Sequence, residues 1–339
     1  MKILYLSCHE ILEYDEISIL TELGHEVFSP EGAYMNPQSG GGKRPAIPNA
    51  QYNDHLSSVA LQCSRANLHP ILVDWADIII YMHITGENWI KSNWSKTKHK
   101  PNIFRSIGQN TRHVEKELAP LVMEGLKIIR YSPNEESIPE YCGSDVLIRF
   151  YKSPEEFRGW TGEEASILNV SQSMKDRDKF LNYNLFEEVT GGFPRKILGP
   201  SNENFGEQWG GLVDYESLKD HYRKHRVYFY TGTQPASYTL NFIEAWMTGT
   251  PIVAIGPKHT NSIFPEQKTY EIPDLITNEV DGFWSDDPQK LKDYVSILLN
   301  DYSVAKQIGE AGRKRAIQVF SKEVVKEQWR SYLSQFEKK

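Results

Sequence analysis

The chain has 339 residues, of which 39% are apolar and 24% are charged, and its net charge at pH 7 is −7. This length suits two domains of roughly 150 to 180 residues, and the composition is that of a globular protein rather than a disordered one. The acidic balance excludes a global positive field that would draw the chain to nucleic acid or anionic lipid, and it leaves only a local basic groove open.

The N-terminal segment and the cysteines indicate a cytoplasmic protein. The apolar run of residues 1–7 ends at Cys8, before the hydrophobic region of a signal peptide could form. No stretch of about 18 apolar residues occurs, so we expect no membrane insertion. Cys8, Cys63 and Cys142 fit neither a disulfide framework nor paired zinc ligands, and we expect three free thiols.

The first half of the sequence alternates strands and helices. Residues 2–7 are a predicted strand, residues 11–23 a helix that Gly24 ends, and residues 25–29 a second strand. This βαβ unit predicts a parallel sheet. Residues 30–53 are rich in Gly, Pro and Asn but lack the spacing of a Walker A loop, and we expect a mobile surface loop there. Further strands are predicted at 77–81, 102–106, 127–131 and 145–150.

A polar stretch at residues 151–164 separates the two halves, and the alternation then repeats. Strands are predicted at 166–170, 195–199, 227–230 and 251–255, and helices at 177–190, 215–224, 239–248, 288–300, 303–320 and 322–336. We therefore predict an α/β protein of two Rossmann-like domains that face each other across a cleft. The predicted domains are residues 1–155 and 156–320, with a helix at 321–339 that crosses back to the first domain. Ligands of such folds bind beyond the carboxyl ends of the strands and between domains.

The most informative stretch covers residues 230–255, YTGTQPASYTLNFIEAWMTGTPIVAI. A loop of small polar residues leads into a helix, so the backbone amides of Tyr238, Thr239 and Leu240 lie at a helix N-terminus, which attracts anions. Glu244 follows on this helix among apolar residues. Burying a lone carboxylate is costly, so Glu244 must face a cleft or a partner, unless it is simply a solvated side chain on a surface helix.

This half of the chain resembles the donor domain of glycosyltransferase family 4, a retaining family with the GT-B fold. Residues 243–256 (IEAWMTGTPIVAIG), 271–301 (EIPDLITNEVDGFWSDDPQKLKDYVSILLND) and 308–323 (IGEAGRKRAIQVFSKE) follow the family pattern in order. The N-terminal half resembles the family less, through its strand order and the PEEF of residues 154–157. The resemblance implies transfer of a sugar from a UDP- or GDP-linked donor, with the acceptor held by the N-terminal domain.

The resemblance also implies roles for individual residues. Glu244 corresponds to the family's glutamate that holds the donor ribose, and Ala236 replaces a second glutamate that lies near the donor sugar. The loop whose amides hold the diphosphate falls on Ser237, Tyr238, Thr239 and Leu240.

Positive charge for the diphosphate is expected in the turn after the first strand of the second domain. Gln172 stands where the family has an arginine, so the charge must come from Lys175, Arg177 or Lys179. Arg177 or Lys179 best matches the family's lysine, and Lys175 is the spare. A diphosphate leaving group needs cations because negative charge grows on it in the transition state, and the chain has no D-x-D metal motif for this role. We therefore expect no metal and no cofactor besides the nucleotide-sugar co-substrate. The alternative for this turn is a charged, solvated surface.

Recognition of the base and of the acceptor is less clearly encoded. The family reads the base with backbone that falls here on Gly199, Leu212 and Val213. On the acceptor side, His9, His83 and Gln109 each follow a predicted strand and could touch the donor sugar or the acceptor. A lone histidine is more often structural than functional.

Other functions remain open. Neither half has a G-x-G-x-x-G after its first strand, which argues against an NAD(P) oxidoreductase. A nucleotide-sugar epimerase shares the GT-B architecture but would need a carboxylate pair, which Ala236 interrupts. A nucleotide-sugar-binding protein without catalysis is motivated by Ala236 and Gln172. The sequence does not decide whether the acceptor is a glycan, a small molecule or, as for viral DNA glucosyltransferases, a nucleic acid.

Overall fold

A computed structural model describes residues 1–30, 47, 53–82 and 89–337. The chain divides into two compact units, which we call unit 1 (Met1–Phe150 and Glu323–Lys339) and unit 2 (Tyr151–Lys322). Each unit contains one parallel β-sheet flanked by helices, which confirms the predicted α/β class with two Rossmann-like halves. The predicted domain boundaries at residues 155 and 320 refer to domains that fold independently, and they stay a prediction from the sequence.

Unit 1 is built on a six-stranded sheet in the order β2-β1-β3-β4-β5-β6, in which all pairs are parallel. Residues 3–6 and 78–82, in two of its strands, are apolar and buried, as expected for parallel strands covered by helices. The strands are β1 Lys2–Leu6, β2 Glu26–Phe28, β3 Ile78–Met82, β4 Asn102–Arg105, β5 Lys127–Arg130 and β6 Val146–Leu147. The helices are α1 Glu10–Glu22, α2 Asp54–Ala60, α3 Pro70–Trp75, α4 Trp89–Thr97 and α5 Arg112–Met123.

Several elements of unit 1 differ from the prediction. The sequence interpretation missed α2, α3, α4 and α5, although Asn53 and His69 accept hydrogen bonds from the first turns of α2 and α3 as N-caps. The strand predicted at 145–150 stops at Leu147. The Arg105 guanidinium donates hydrogen bonds to the carbonyls of Ile148 at 2.7 Å and Arg149 at 3.3 Å, so these carbonyls do not pair with another strand. The loop predicted at 30–53 lies almost entirely outside the described residues.

Unit 2 is built on a five-stranded parallel sheet in the order β11-β10-β9-β7-β8. The strand order reverses between β7 and β9, which makes the carboxyl ends of these two strands the switch point of the sheet. The strands are β7 Glu164–Val170, β8 Arg195–Leu198, β9 His225–Tyr230, β10 Ile252–Ile255 and β11 Phe283–Ser285. The helices are α6 Asp178–Leu181, α7 Tyr183–Thr190, α8 Tyr215–Lys224, α9 Leu240–Thr248, α10 Ile272–Leu275, α11 Pro288–Asn300 and α12 Tyr302–Phe320.

The helix predicted at 177–190 is two helices. Asn182 adopts a left-handed conformation, with φ 56° and ψ 46°, which ends α6 and begins α7. Its side-chain amide donates to the carbonyl of Thr231 at 3.0 Å, a contact that a straight helix would not give. The strand β11 and the helix α10 were also missed, because their three and four residues are too few to show a pattern.

The final helix α13, Lys322–Leu333, packs in unit 1. Its apolar face buries Val325, Trp329 and Leu333. The Trp329 ring lies 5.9 Å from the Arg105 guanidinium, whose Nε donates to Glu16 at 2.7 Å in a buried ion pair. Unit 1 therefore consists of two pieces of chain that are far apart in sequence.

Candidate functional site

A cavity of 180 Å³ opens in unit 2 at the carboxyl ends of β7 and β9. It occupies the switch point of the sheet, where open α/β sheets bind ligands. Its polar wall is formed by the turn after β7, the loop after β9 and the first turn of α9. The lining residues are Asn169, Val170, Ser171, Gln172, Arg177, Leu181, Tyr228, Tyr230, Thr231, Gly232, Thr233 and Asn241.

The N-terminus of α9 borders this cavity. Asn241, in the first turn of α9, lines the cavity and donates to the carbonyl of Val170 at 2.5 Å. The Thr239 hydroxyl lies 3.2 Å from the Tyr230 hydroxyl. Burial raises the pKa of Tyr230, so its phenol stays neutral and keeps a proton to donate. A helix N-terminus next to neutral hydroxyl and amide donors suits an anion.

Arg177 is the cation that the structure brings to the cavity. It is half-buried, precedes α6 as its N-cap, and its guanidinium lies 3.5 Å from the carbonyl of Gln172, which also lines the cavity. Of the three cations predicted for the phosphate site, Arg177 is the one that lines the cavity, next to Gln172 at the family's arginine position.

The other two cations of this turn lie elsewhere in the described structure. Lys175 donates to the carbonyl of Asn204 at 2.7 Å, and its ammonium lies 4.4 Å from the centre of the Phe205 ring. Lys179 is exposed on α6 and is not among the cavity-lining residues. One turn of chain points Arg177 and Lys175 in different directions, which the spacing in the sequence does not reveal.

Glu244 faces a partner inside unit 2. Its side chain is 7% exposed, and its two oxygens lie 3.1 Å from the Lys152 ammonium and 3.1 Å from the Tyr222 hydroxyl. Lys152 is itself buried, and burial together with the Glu244 charge raises the pKa of Tyr222, which stays a donor. The sequence predicted that this carboxylate needs a partner, and the partners are Lys152 and Tyr222, which the sequence interpretation did not identify. Its role in holding a ribose stays a prediction.

None of the four residues of the loop predicted to hold the diphosphate is among the cavity-lining residues. Ser237 and Tyr238 are buried, and the Tyr238 ring packs edge-on against Phe320 at 5.1 Å. Leu240 is the first residue of α9. The side chains that reach the cavity come instead from the polar residues directly after β9, including Thr231 and Thr233. The signal for them was the run of small polar residues at a strand end.

The residues predicted to read the base lie at the end of β8. Gly199 has φ +113°, and a Cβ there would lie 2.2 Å from the carbonyl oxygen of Ser171, a cavity residue. Its amide donates to Gly211 at 3.1 Å, which fixes the segment containing Leu212 and Val213 beside β8. Leu212 is 68% exposed and Val213 is half-buried, so both are accessible next to the β7 turn.

The predicted acceptor-side histidine is an N-cap. His9 follows β1 in unit 1, and its Nδ1 accepts from the amide of Leu12 at 3.4 Å at the start of α1. This cap accounts for a histidine at that place without catalysis. His83 lies outside the described residues.

Within the ranges that the structure describes, no group of three or more His, Cys, Asp or Glu side chains is arranged to hold a metal. In the same ranges, no helix combines the length and the apolar character that a bilayer crossing requires.

Comparison with solved structures identifies similar folds across nearly the whole chain. A glycosyltransferase from Rickettsia africae ESF-5 is 13% identical, with 99% of this chain and 98% of that chain covered and a TM-score of 0.67. Sucrose-phosphate synthase from Thermosynechococcus elongatus is 14% identical over 99% and 98% of the two chains, with a TM-score of 0.66. Anabaena HepE in complex with UDP-glucose is 13% identical over 99% and 100%, with a TM-score of 0.68.

No family model and no curated protein sequence matches the chain. The specific resemblance to family 4 accordingly stays a prediction from residues 243–323. At 13–14% identity the structural likeness concerns the fold alone. The chain has the two-unit α/β fold of GT-B glycosyltransferases.

Proposed function

We propose that the chain is a glycosyltransferase that binds a nucleotide-sugar donor in unit 2, with the diphosphate in the cavity at the switch point. The observation that carries this proposal is the convergence of Arg177, the loop after β9 and the N-terminus of α9 on one polar cavity. A volume of 180 Å³ is below the roughly 300 Å³ of a small-molecule pocket, so it suits one part of the donor rather than the whole molecule.

The proposed chemistry is the departure of a nucleoside diphosphate. As the bond from the sugar carbon to the diphosphate oxygen breaks, negative charge grows on that oxygen. The Arg177 guanidinium and the amides at the α9 N-terminus would stabilise this charge without a metal. The acceptor hydroxyl oxygen bonds to the sugar carbon and gives up its proton to the departing diphosphate. Retention of the anomeric configuration belongs to this proposal, which names no acceptor.

Uridine nucleotides are the first probes to use. HepE structures contain UDP, UDP with glucose, or UDP-glucose, and share the fold of this chain. GDP serves as the parallel probe, because the sequence resemblance implies either base.

The test is calorimetric binding of UDP and GDP to the wild type and to Arg177→Ala. A lost charge-assisted hydrogen bond is worth about 1.5–3 kcal/mol, so we expect affinity for the diphosphate to fall by roughly ten- to a hundredfold. Lys179→Ala is the matched control, since Lys179 is exposed on the same turn but does not line the cavity. Equal losses in both variants would mean that general charge, rather than the cavity, binds the nucleotide.

A nucleotide-sugar-binding protein without catalysis is the second candidate, favoured by Ala236 in place of the family's sugar-site glutamate. Our proposal is that Ala236 alters which sugar is accepted. Hydrolysis and transfer measured over a panel of nucleotide-sugars, for the wild type and Ala236→Glu, separate the two. Nucleotide binding with no turnover by either protein would establish the binding protein.

Activity that vanishes in excess chelator and returns with manganese would overturn the metal-free mechanism.

A further inference from the structure

Gln234 is a buried side chain beside the cavity that makes contacts to two other segments of unit 2. Its Nε2 donates to the carbonyl of Lys179 at 3.0 Å and to the Ser262 hydroxyl at 2.8 Å. Its Oε1 accepts from the amide of Ile263 at 3.0 Å. The side chain is 4% exposed, so water competes little with these bonds.

The first segment that Gln234 holds is α6, which follows directly on Arg177. Besides the side-chain bond to Lys179, the backbone N–H of Gln234 donates to the carbonyl of Phe180 at 3.1 Å. The helix α6 has only four residues, and one isolated turn has almost no stability of its own. Its position, and with it the position of Arg177, must therefore come from contacts of this kind.

The second segment is residues 262–263, in the connection between β10 and α10. Gln234 itself follows Thr233, which lines the cavity. One carboxamide therefore joins the cavity loop to the helix behind Arg177 and to a connection that does not line the cavity.

We infer that Gln234 is a positioning residue that sets the distance between Arg177 and the loop after β9. This inference rests on the proposed function, since it assigns Gln234 to the diphosphate site. Gln234 acts through Arg177 and does not touch the ligand. Errors of about 1 Å in the placement of a charged group weaken its action on a ligand steeply, so a single buried amide suffices to control the site.

The experiment is a double-mutant cycle on UDP affinity, measured by calorimetry. Gln234→Met keeps the length and volume of the side chain and removes its hydrogen bonds without adding charge. We expect it to weaken UDP binding by about tenfold in the wild-type background and by less than about twofold in the Arg177→Ala background. Lys179→Ala is the control, because it keeps the backbone carbonyl that Gln234 binds.

Each outcome has a defined meaning. Wild-type affinity in Gln234→Met, or an equal loss in both backgrounds, overturns the inference and leaves the proposed function standing. A wild type that binds neither UDP nor GDP overturns the proposed function and the inference with it. If thermal melting shows that Gln234→Met is unfolded, Gln234→Asn replaces it in the cycle, because its shorter side chain stays polar but cannot span both segments.

Discussion

The buried pair of Lys152 and Glu244 makes a prediction about stability. Removing one member of a buried ion pair leaves the other charge uncompensated, at a cost of about 3–5 kcal/mol. We expect Lys152→Met to lower the free energy of unfolding by about this amount, and Lys152→Met with Glu244→Leu to recover most of it. Denaturant unfolding measures both variants. If the single variant is as stable as the wild type, the ammonium and the carboxylate are not paired in the folded protein.

The same pair bears on nucleotide binding. If Glu244 also holds a ribose, as the family resemblance implies, then Glu244→Gln should weaken UDP binding in protein that is still folded. Calorimetry below the unfolding transition separates this effect from the loss of stability. Unchanged UDP affinity in folded Glu244→Gln would show that Glu244 does not hold the ribose and has only a structural role, as the partner of Lys152.

His225 makes the stability of unit 2 depend on pH. It is buried, its Nδ1 lies 2.8 Å from the Ser166 hydroxyl and its Nε2 lies 3.2 Å from Nδ1 of His221. Burial, and then the neighbouring His221, lower the pKa of His225 from 6.5 to about 3. Between these values the unfolded chain binds a proton that the folded chain does not, so stability is lost as the pH falls below 6.5.

We therefore expect the free energy of unfolding of His225→Gln to vary less with pH than that of the wild type between pH 3 and 6.5. Chemical unfolding at a series of pH values gives both slopes. His113→Gln is the matched control, because the His113 side chain is 80% exposed. A His225→Gln slope as steep as the wild-type slope would contradict the assignment.

At the scale of elements, the turn after β8 fixes the turn after β7. Gly199→Ala would combine a strained positive φ with a Cβ 2.2 Å from the carbonyl of Ser171. We expect a destabilisation of at least about 1–3 kcal/mol and weaker UDP binding, because Ser171 lines the cavity. Gly192→Ala is the control, since a Cβ there meets nothing within 4 Å. Thermal melting and calorimetry report the two effects, and a Gly199→Ala protein that matches this control would refute the prediction.

The elements that the sequence predicted well are those with strong local patterns. The strands β1, β3 and β10 are buried throughout their length or nearly so. Strands buried on both faces appear in the sequence as continuous apolar runs, and such runs predict strands clearly. The break at Asn182 was missed because it depends on a hydrogen bond to Thr231, in another loop.

The candidate site was predicted in part for the same reason. The sequence predicted a ligand site beyond the carboxyl ends of the strands and a cation from the turn that contains Arg177. The choice of Arg177 over Lys175 depends on the conformation of one turn, and the partnership of Glu244 with Lys152 depends on a contact between distant segments. Contacts of this kind have no local sequence pattern.

At the scale of the molecule, α13 should stabilise unit 1 and leave unit 2 unaffected. Deleting residues 323–339 removes Trp329 from the Arg105 guanidinium and exposes the apolar surface that α13 covers. We expect faster proteolysis within residues 1–150, while residues 151–322 stay resistant. Deleting only residues 334–339 is the control, because it keeps all of α13. Equal protection of both deletions would show that α13 is dispensable for unit 1.

The two-piece construction of unit 1 also has a consequence for biosynthesis. Ribosomes deliver the six strands of its sheet first and α13 only after the whole of unit 2. At 5–20 residues per second, the nascent sheet waits roughly 10–40 s for the helix that brings Trp329 to Arg105. Unit 2 can therefore be completed before unit 1, although the sheet of unit 1 is translated first. Protease pulses on stalled nascent chains should find residues 151–322 protected before residues 1–150, and only chains long enough to expose α13 outside the ribosome should show both protected.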